Sequence, residues 1–164
     1  MFKFGKSSIK RMTGVEKLLI DTAHEALELS RVDMTVPWMG GLRTDEEQNA
    51  IFKEGNSRAN GYTKKSYHQT GMALDIIPFI NGSGTYEADK EFLYFANIMI
   101  SIFNYRKVIG EVNKNIYLHW GGFFGDKDLD GDGILKSGKD KLGWDMAHWE
   151  IRSSPQKRVL TING

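Results

Sequence analysis

Ser66-Tyr-His68-Gln-Thr-Gly71-Met-Ala73-Leu-Asp75 holds the two residues around which the rest of the chain can be ordered. His68 offers a neutral nitrogen and Asp75 a hard oxygen, both suitable zinc ligands at about 2.0 to 2.2 Å. Along an unbroken strand, residues seven apart face opposite sides, because side chains alternate with period two. Gly71 is the residue that can break this alternation. A turn there folds the His68 loop back so that both ligands converge, with small Ala73 leaving room. The alternative is a loop histidine and a strand-end aspartate that never meet. Ala73-Leu-Asp-Ile-Ile77, just before Pro78, reads as a buried strand in either case.

Upstream, Thr13-Gly-Val-Glu16 has the form of a capping box, predicting a helix from there to about Arg31 with Val15, Leu18, Leu19, Thr22, Ala26 and Leu29 on one stripe. Met34 to Met39, around Pro37, reads as a short edge strand. Thr44-Asp-Glu-Glu47 is a second capping box, opening a helix to about Glu54 that stops at Gly55. Asn56 to Lys65 is a polar loop. Downstream, Asn81-Gly-Ser-Gly84 is a turn, and Ala88 to Asn104 is a helix with Phe92, Phe95, Ala96, Met99, Ile100 and Phe103 facing the core. Lys107–Val112, Ile116–Trp120 and His148–Arg152 are expected strands. The sum is an α+β fold, helices packed on a small antiparallel sheet carrying a mononuclear metal site.

With 164 residues the chain is expected to form one domain, 1–164, whose motif-bearing core runs from about 40 to 152. Twenty-two basic residues against 21 acidic ones leave a net charge of +1, which argues against nucleic acid as a partner. The absence of cysteine removes disulfides, thiolate zinc sites and a cysteine nucleophile, so any metal is held by imidazole and carboxylate. Phe92 to Phe103, the longest greasy stretch, is broken by Asn97 and Ser101 and falls short of the ~18 apolar residues of a membrane span. Stable membrane insertion is therefore not expected, and a monomer is. Met1 to Met12 is basic without an apolar run, so no secretory signal is expected; the run Lys3 to Arg11 reads as a solvated terminus.

Trp144-Asp145-Met-Ala-His148-Trp149-Glu150 is the second chemical segment. His148 can complete a His/Asp/His set, leaving a fourth metal position open as in catalytic rather than structural zinc sites. Asp145, three residues earlier and on the same side of a turn, is the candidate base. Glu150 competes for that role, since in a strand it shares a face with His148. His119, beside Trp120, reads as a core-edge histidine with one satisfied hydrogen bond, ahead of a third-ligand or substrate role.

Ser66-x-His68-x-x-Gly71-x-Ala73-x-Asp75 followed by Asp145-x-x-His148-Trp149 resembles the zinc D-alanyl-D-alanine carboxypeptidase and L-alanyl-D-glutamate endopeptidase family of peptidoglycan peptidases, which includes phage endolysins. Gly41-Leu-Arg43-Thr-x-x-x-Gln48 and Trp120-Gly-Gly-Phe123 are similar to that family's pattern as well. The resemblance implies Zn2+ on His68, Asp75 and His148, with Asp145 as base. Many members have glutamate at the base position, and aspartate points to the branch of phage L-alanyl-D-glutamate endolysins. Arg43 is implied as a catalytic residue that stabilises or binds substrate near the scissile carbonyl, and Gln48 and Ser66 as further substrate-binding residues. The partner implied is the peptidoglycan stem peptide. The protein would be made in a host cytoplasm and act on the cell wall.

Asp128-x-Asp130-x-Asp132-Gly133-x-Leu135 matches the first eight positions of an EF-hand loop, but Lys139 stands where the twelfth-position glutamate belongs. An acidic turn and a regulatory Ca2+ site on Asp128, Asp130 and Asp132 are near-equal readings, and the resemblance to endolysins tips the balance to calcium. Two rivals accompany the endopeptidase reading: a D-alanyl-D-alanine carboxypeptidase of cell-wall maturation or resistance, and a non-catalytic, metal-stabilised binding module.

Overall fold

The computed structural model of the protein describes residues 1–124 and 143–156. Among the described residues, four helices, α1 (Lys6–Arg11), α2 (Lys17–Leu29), α3 (Asp45–Lys53) and α4 (Asp89–Val108), accompany two three-stranded antiparallel sheets. One sheet joins β1 (Met34–Thr35), β3 (Ile77–Ile80) and β4 (Ser83–Gly84) in the order β1-β3-β4; the other joins β2 (Ala73–Asp75), β5 (Tyr117–Trp120) and β6 (His148–Arg152) in the order β2-β6-β5. The fold is α+β, as expected, with two small sheets in place of one. Asp128, Asp130 and Asp132 of the candidate calcium loop lie outside the described residues. Among the described residues no helix is long and apolar enough to cross a membrane.

The strand expected over Ala73–Ile77 is divided because Asp75 pairs with His148, the first residue of β6, and the ladder has no further rung. Ile76 crosses between the sheets, fully buried, its N–H donating to the Ala147 carbonyl at 2.9 Å. Ile77 and Pro78 then pair with Thr35 and Met34.

The β2-β6-β5 sheet positions the site through simple alternation. Leu74, Trp120, Trp149 and Ile151 face the core, where the rings of Trp120 and Trp149 stack at 5.9 Å. Asp75, His119, His148 and Glu150 fall on the opposite face, in register with one another: Asp75 opposite His148, and Glu150 between Ala73 and His119. Leu19, Ala23, Ala26 and Leu27 of α2 and Phe92, Phe95, Ala96 and Met99 of α4 fill the core on the apolar side.

Three local expectations are corrected. Thr13 does not cap α2. The Glu16 N–H that would bond its hydroxyl goes instead to the Gly71 carbonyl at 2.8 Å, Gly14 turns the chain with φ +82°, and the helix starts at Lys17 with Glu16 as its cap. The strand expected over Lys107–Val112 is absent, since α4 runs through Val108 and ends at Gly110, whose φ of +83° suits a left-handed C-terminal turn. The basic N-terminal run is the helix α1: Ser8 is buried and bonds Thr35 at 2.9 Å, Arg11 donates to the Val36 carbonyl at 2.6 Å, and Phe4 and Met12 join the core.

Candidate metal centre

A 3₁₀ turn over Tyr67–Thr70 carries His68. Ser66 and Gln69 form a reciprocal capping box around it, and Gly71 ends it in the left-handed conformation at φ +72°. A side chain at Gly71 would also overlap the Gly14 carbonyl. The reversal at Gly71 brings His68 Nε2 to 3.1 Å from Asp75 Oδ1. The register of β2 and β6 supplies the third group, with His148 Nδ1 3.1 Å from both Asp75 Oδ1 and His68 Nε2. Among the described residues, His68, Asp75 and His148 form one group able to hold a metal ion.

The donor chemistry fits a metal. His68 Nδ1–H donates to the Gly41 carbonyl at 2.8 Å, which leaves Nε2 as a bare lone pair. His148 Nε2–H donates to Glu150 Oε2 at 3.1 Å, which frees Nδ1 in the same way. Two nitrogen lone pairs and a carboxylate oxygen therefore converge, 3.1 Å apart. Ligands on a tetrahedral ion at 2.0–2.1 Å stand about 3.3 Å apart, so the triangle needs little adjustment. The outer partners are the kind that fix tautomer and ring orientation at metal sites.

Charge is distributed to match. Burial would favour the neutral acid at Asp75, but His68 and His148 outweigh it and hold the carboxyl well below the usual range. Burial lowers His68, against the pull of Asp75, and keeps the ring neutral. Burial also opposes charge on His148, yet its bonds to Asp75 and Glu150 prevail and push it up to about 10. A proton on His148 thus relieves the converging lone pairs when no cation does so. Burial would raise Glu150 too, but the His148 hydrogen bond and charge, with Arg152, keep it ionised.

Asp145 stands apart from this triangle. Its carbonyl accepts the His148 N–H at 3.1 Å across a tight turn, and its carboxyl lines an open groove of about 830 Å³ together with the three ligands. Burial is the largest influence on that carboxyl, which is pushed up to about 6. Glu150 is 2 % exposed and lies behind His148, bonded to its Nε2 and paired with Arg152, so its carboxylate faces away from the converging lone pairs. Its geometry is that of an orienting partner for His148. His119 is a core-edge residue: Nε2–H donates to the Ser154 carbonyl at 2.6 Å, and it is not part of the ligand group.

Arg43 sits at the junction before α3 and reaches inward. Nε donates to the Met39 carbonyl at 2.5 Å, Nη1 to Gln48 Oε1 at 3.2 Å, and Nη2 to Asp75 Oδ2 at 2.5 Å. It lines the groove while gripping the outer oxygen of Asp75. Gln48 is wholly buried behind it, its amide N–H groups given to Ser57 Oγ and the Ala59 carbonyl; a substrate contact is not what this placement provides. Ser66 does line the groove, though its hydroxyl caps the His68 turn. Sequence reasoning missed Trp38, Arg58, Tyr86 and Trp144, which complete the groove. Their signal was aromatic and cationic side chains in polar, loop-like sequence, where no core claims them.

Two imidazoles and one carboxylate converge on a point in a groove with a further carboxyl, Asp145, beside them, a donor set that suits a metal ion. The profile of the family described as phage L-alanyl-D-glutamate peptidase matches residues 1–151, and the chain belongs to that family. The chain is 41 % identical over 81 residues to the L-alanyl-D-glutamate peptidase of Escherichia phage T5, an overlap covering 49 % of this chain and 57 % of that protein. The overlap thus spans little more than half the length of this curated relative. The fold is similar to the crystal structure of Serratia marcescens L-Ala D-Glu endopeptidase ChiX, with a TM-score of 0.60, 23 % identity, and coverage of 92 % of this chain and 90 % of that one.

Proposed function

We propose that the protein is a zinc-dependent peptidase that hydrolyses the L-alanyl-D-glutamate bond of peptidoglycan stem peptides and acts on the bacterial wall as a phage endolysin. The observation that carries this reading is the convergence of two nitrogen lone pairs and one carboxylate oxygen beside a separate, half-buried acid in an open groove. His68, Asp75 and His148 are the residues that would hold the ion. When bound, zinc supplies Lewis acidity to the scissile carbonyl and to the attacking water.

The remaining work falls to the chain. Asp145, outside the ligand set and raised to about 6, takes a proton from the attacking water and passes it to the leaving amine. Burial raises this carboxyl's affinity for a proton, which suits a group that accepts one and passes it on. Arg43 fixes Asp75 through Nη2 while its other two nitrogens hold Met39 and Gln48, a three-point grip that an ammonium cannot reproduce. Glu150 and the Gly41 carbonyl hold the two imidazoles in the tautomers the site requires. A purely structural metal module has no use for an uncoordinated base in a groove, which disfavours the binding-module reading.

The test is mass spectrometry of purified muropeptides after digestion, with and without a chelator. The reading expects new amino-terminal D-glutamyl products, lost on chelation and restored by zinc. Free D-alanine would replace it with a carboxypeptidase, and cleavage indifferent to chelation would remove the metal.

A further inference from the structure

The arginine side chains that line the groove, among the described residues, are Arg43 and Arg58, and they are in opposite states. All three nitrogens of the Arg43 guanidinium are committed inside the protein, to Met39, Gln48 and Asp75, and its side chain is 10 % exposed. Arg58 forms no ion pair among the described residues. Its guanidinium lies over the ring of Trp144, 5.1 Å from the centroid, and Trp144 directly precedes Asp145. A cation seated on an aromatic face keeps its N–H edge available for an anion.

The loop beneath Arg58 is built rather than incidental. Buried Gln48 donates to Ser57 Oγ at 2.9 Å and to the Ala59 carbonyl at 3.0 Å, gripping the residues on either side of Arg58. The Ala59 N–H closes the turn onto Ser57 Oγ at 3.1 Å. The same glutamine accepts from Arg43, so one side chain ties the Arg58 loop to the arginine that holds Asp75.

We propose that Arg58 is the specificity-determining residue that receives the free carboxylate of the glutamyl residue on the leaving side of the scissile bond. The inference rests on the L-alanyl-D-glutamate reading above. A glutamyl residue whose amine is released keeps two carboxyl groups, and the onward peptide uses at most one. Unless it is amidated, a free carboxylate therefore accompanies the leaving group, and entering a partly enclosed groove it needs a charge-assisted partner. With Arg43 spent on Asp75, Arg58 is the groove cation able to supply it.

The experiment compares two peptides in zinc-loaded protein: N-acetyl-L-alanyl-γ-D-glutamyl-L-lysine, and its counterpart with the free α-carboxyl converted to the amide. Wild type should cleave the acid in preference to the amide. In Arg58→Ala the acid-over-amide ratio of kcat/KM should fall about tenfold, the low end for a charge-assisted hydrogen bond at an open site, mainly through KM. Arg58→Lys should retain part of the preference. The product γ-D-glutamyl-L-lysine should also inhibit Arg58→Ala more weakly than wild type, a binding readout independent of turnover. An unchanged ratio in Arg58→Ala, or a wild type that treats both peptides alike, overturns the assignment and leaves the peptidase reading standing. A wild type that cleaves neither peptide overturns that reading, and this one with it.

Discussion

Replacing Asp145 with asparagine should stabilise the metal-free protein while it disables turnover. Burial lifts this carboxyl from 3.8 to about 6, so the folded protein disfavours its ionised form by about 3 kcal/mol. Residual contact with solvent trims the expected gain to about 2 kcal/mol. A group whose folded-state pKa is raised contributes its full stability below the unfolded value and loses it as pH rises through the folded one. The difference between Asp145→Asn and wild type should therefore be near zero at pH 3.5, grow between pH 4 and 6, and level off above about pH 7. Urea denaturation of chelator-treated protein, followed by tryptophan fluorescence across that range, measures it directly. A pH-independent difference, or a variant less stable than wild type at pH 7.5, would refute the claim that Asp145 is held in a desolvated position. The same variant should lose about 100-fold or more in turnover with zinc still bound.

Three further perturbations test the surroundings of the triangle. Glu150→Gln keeps an acceptor for His148 but removes its charge, and should weaken zinc binding about 10- to 100-fold in a competition titration; unchanged affinity would release Glu150 from its orienting role. Arg43→Lys should impair kcat/KM strongly despite the retained charge, because Met39, Gln48 and Asp75 are gripped by three separate nitrogens; wild-type kinetics would return Arg43 to the surface. Gly41→Ala places a Cβ against the Arg11 carbonyl and displaces the carbonyl that receives His68, so stability should fall by about 3 kcal/mol in chemical denaturation; an unshifted midpoint would contradict the packing described.

The convergence of His68, Asp75 and His148 was legible because its causes are local. Gly71 is the one residue between His68 and Asp75 that adopts a left-handed turn without strain, and alternation along His148–Arg152 places His148 and Glu150 on one face. The second capping box, Thr44 with Glu47, forms as its spacing predicts. What escaped reading depends on partners distant in sequence. The inward turn of Arg43 is decided by Asp75, 32 positions away, and the burial of Gln48 by a loop 9 to 11 residues on. The false cap at Thr13 fails for the same reason, since a carbonyl more than fifty residues downstream takes the N–H it needed. The strand misread over Lys107–Val112 is different, because Gly110 was a visible stop for a longer helix and β-branched neighbours obscured it.

The alternation of β6 also makes the core a reading frame for the chemistry. Trp149 and Ile151 can be buried only if His148 and Glu150 point the other way, and sliding the strand by one position would drive two charged side chains into the space of an indole. The placement of the candidate metal-holding groups is thus proofread by hydrophobic packing. Single-residue insertions or deletions near β6 should be punished as folding defects first and as losses of catalysis only second.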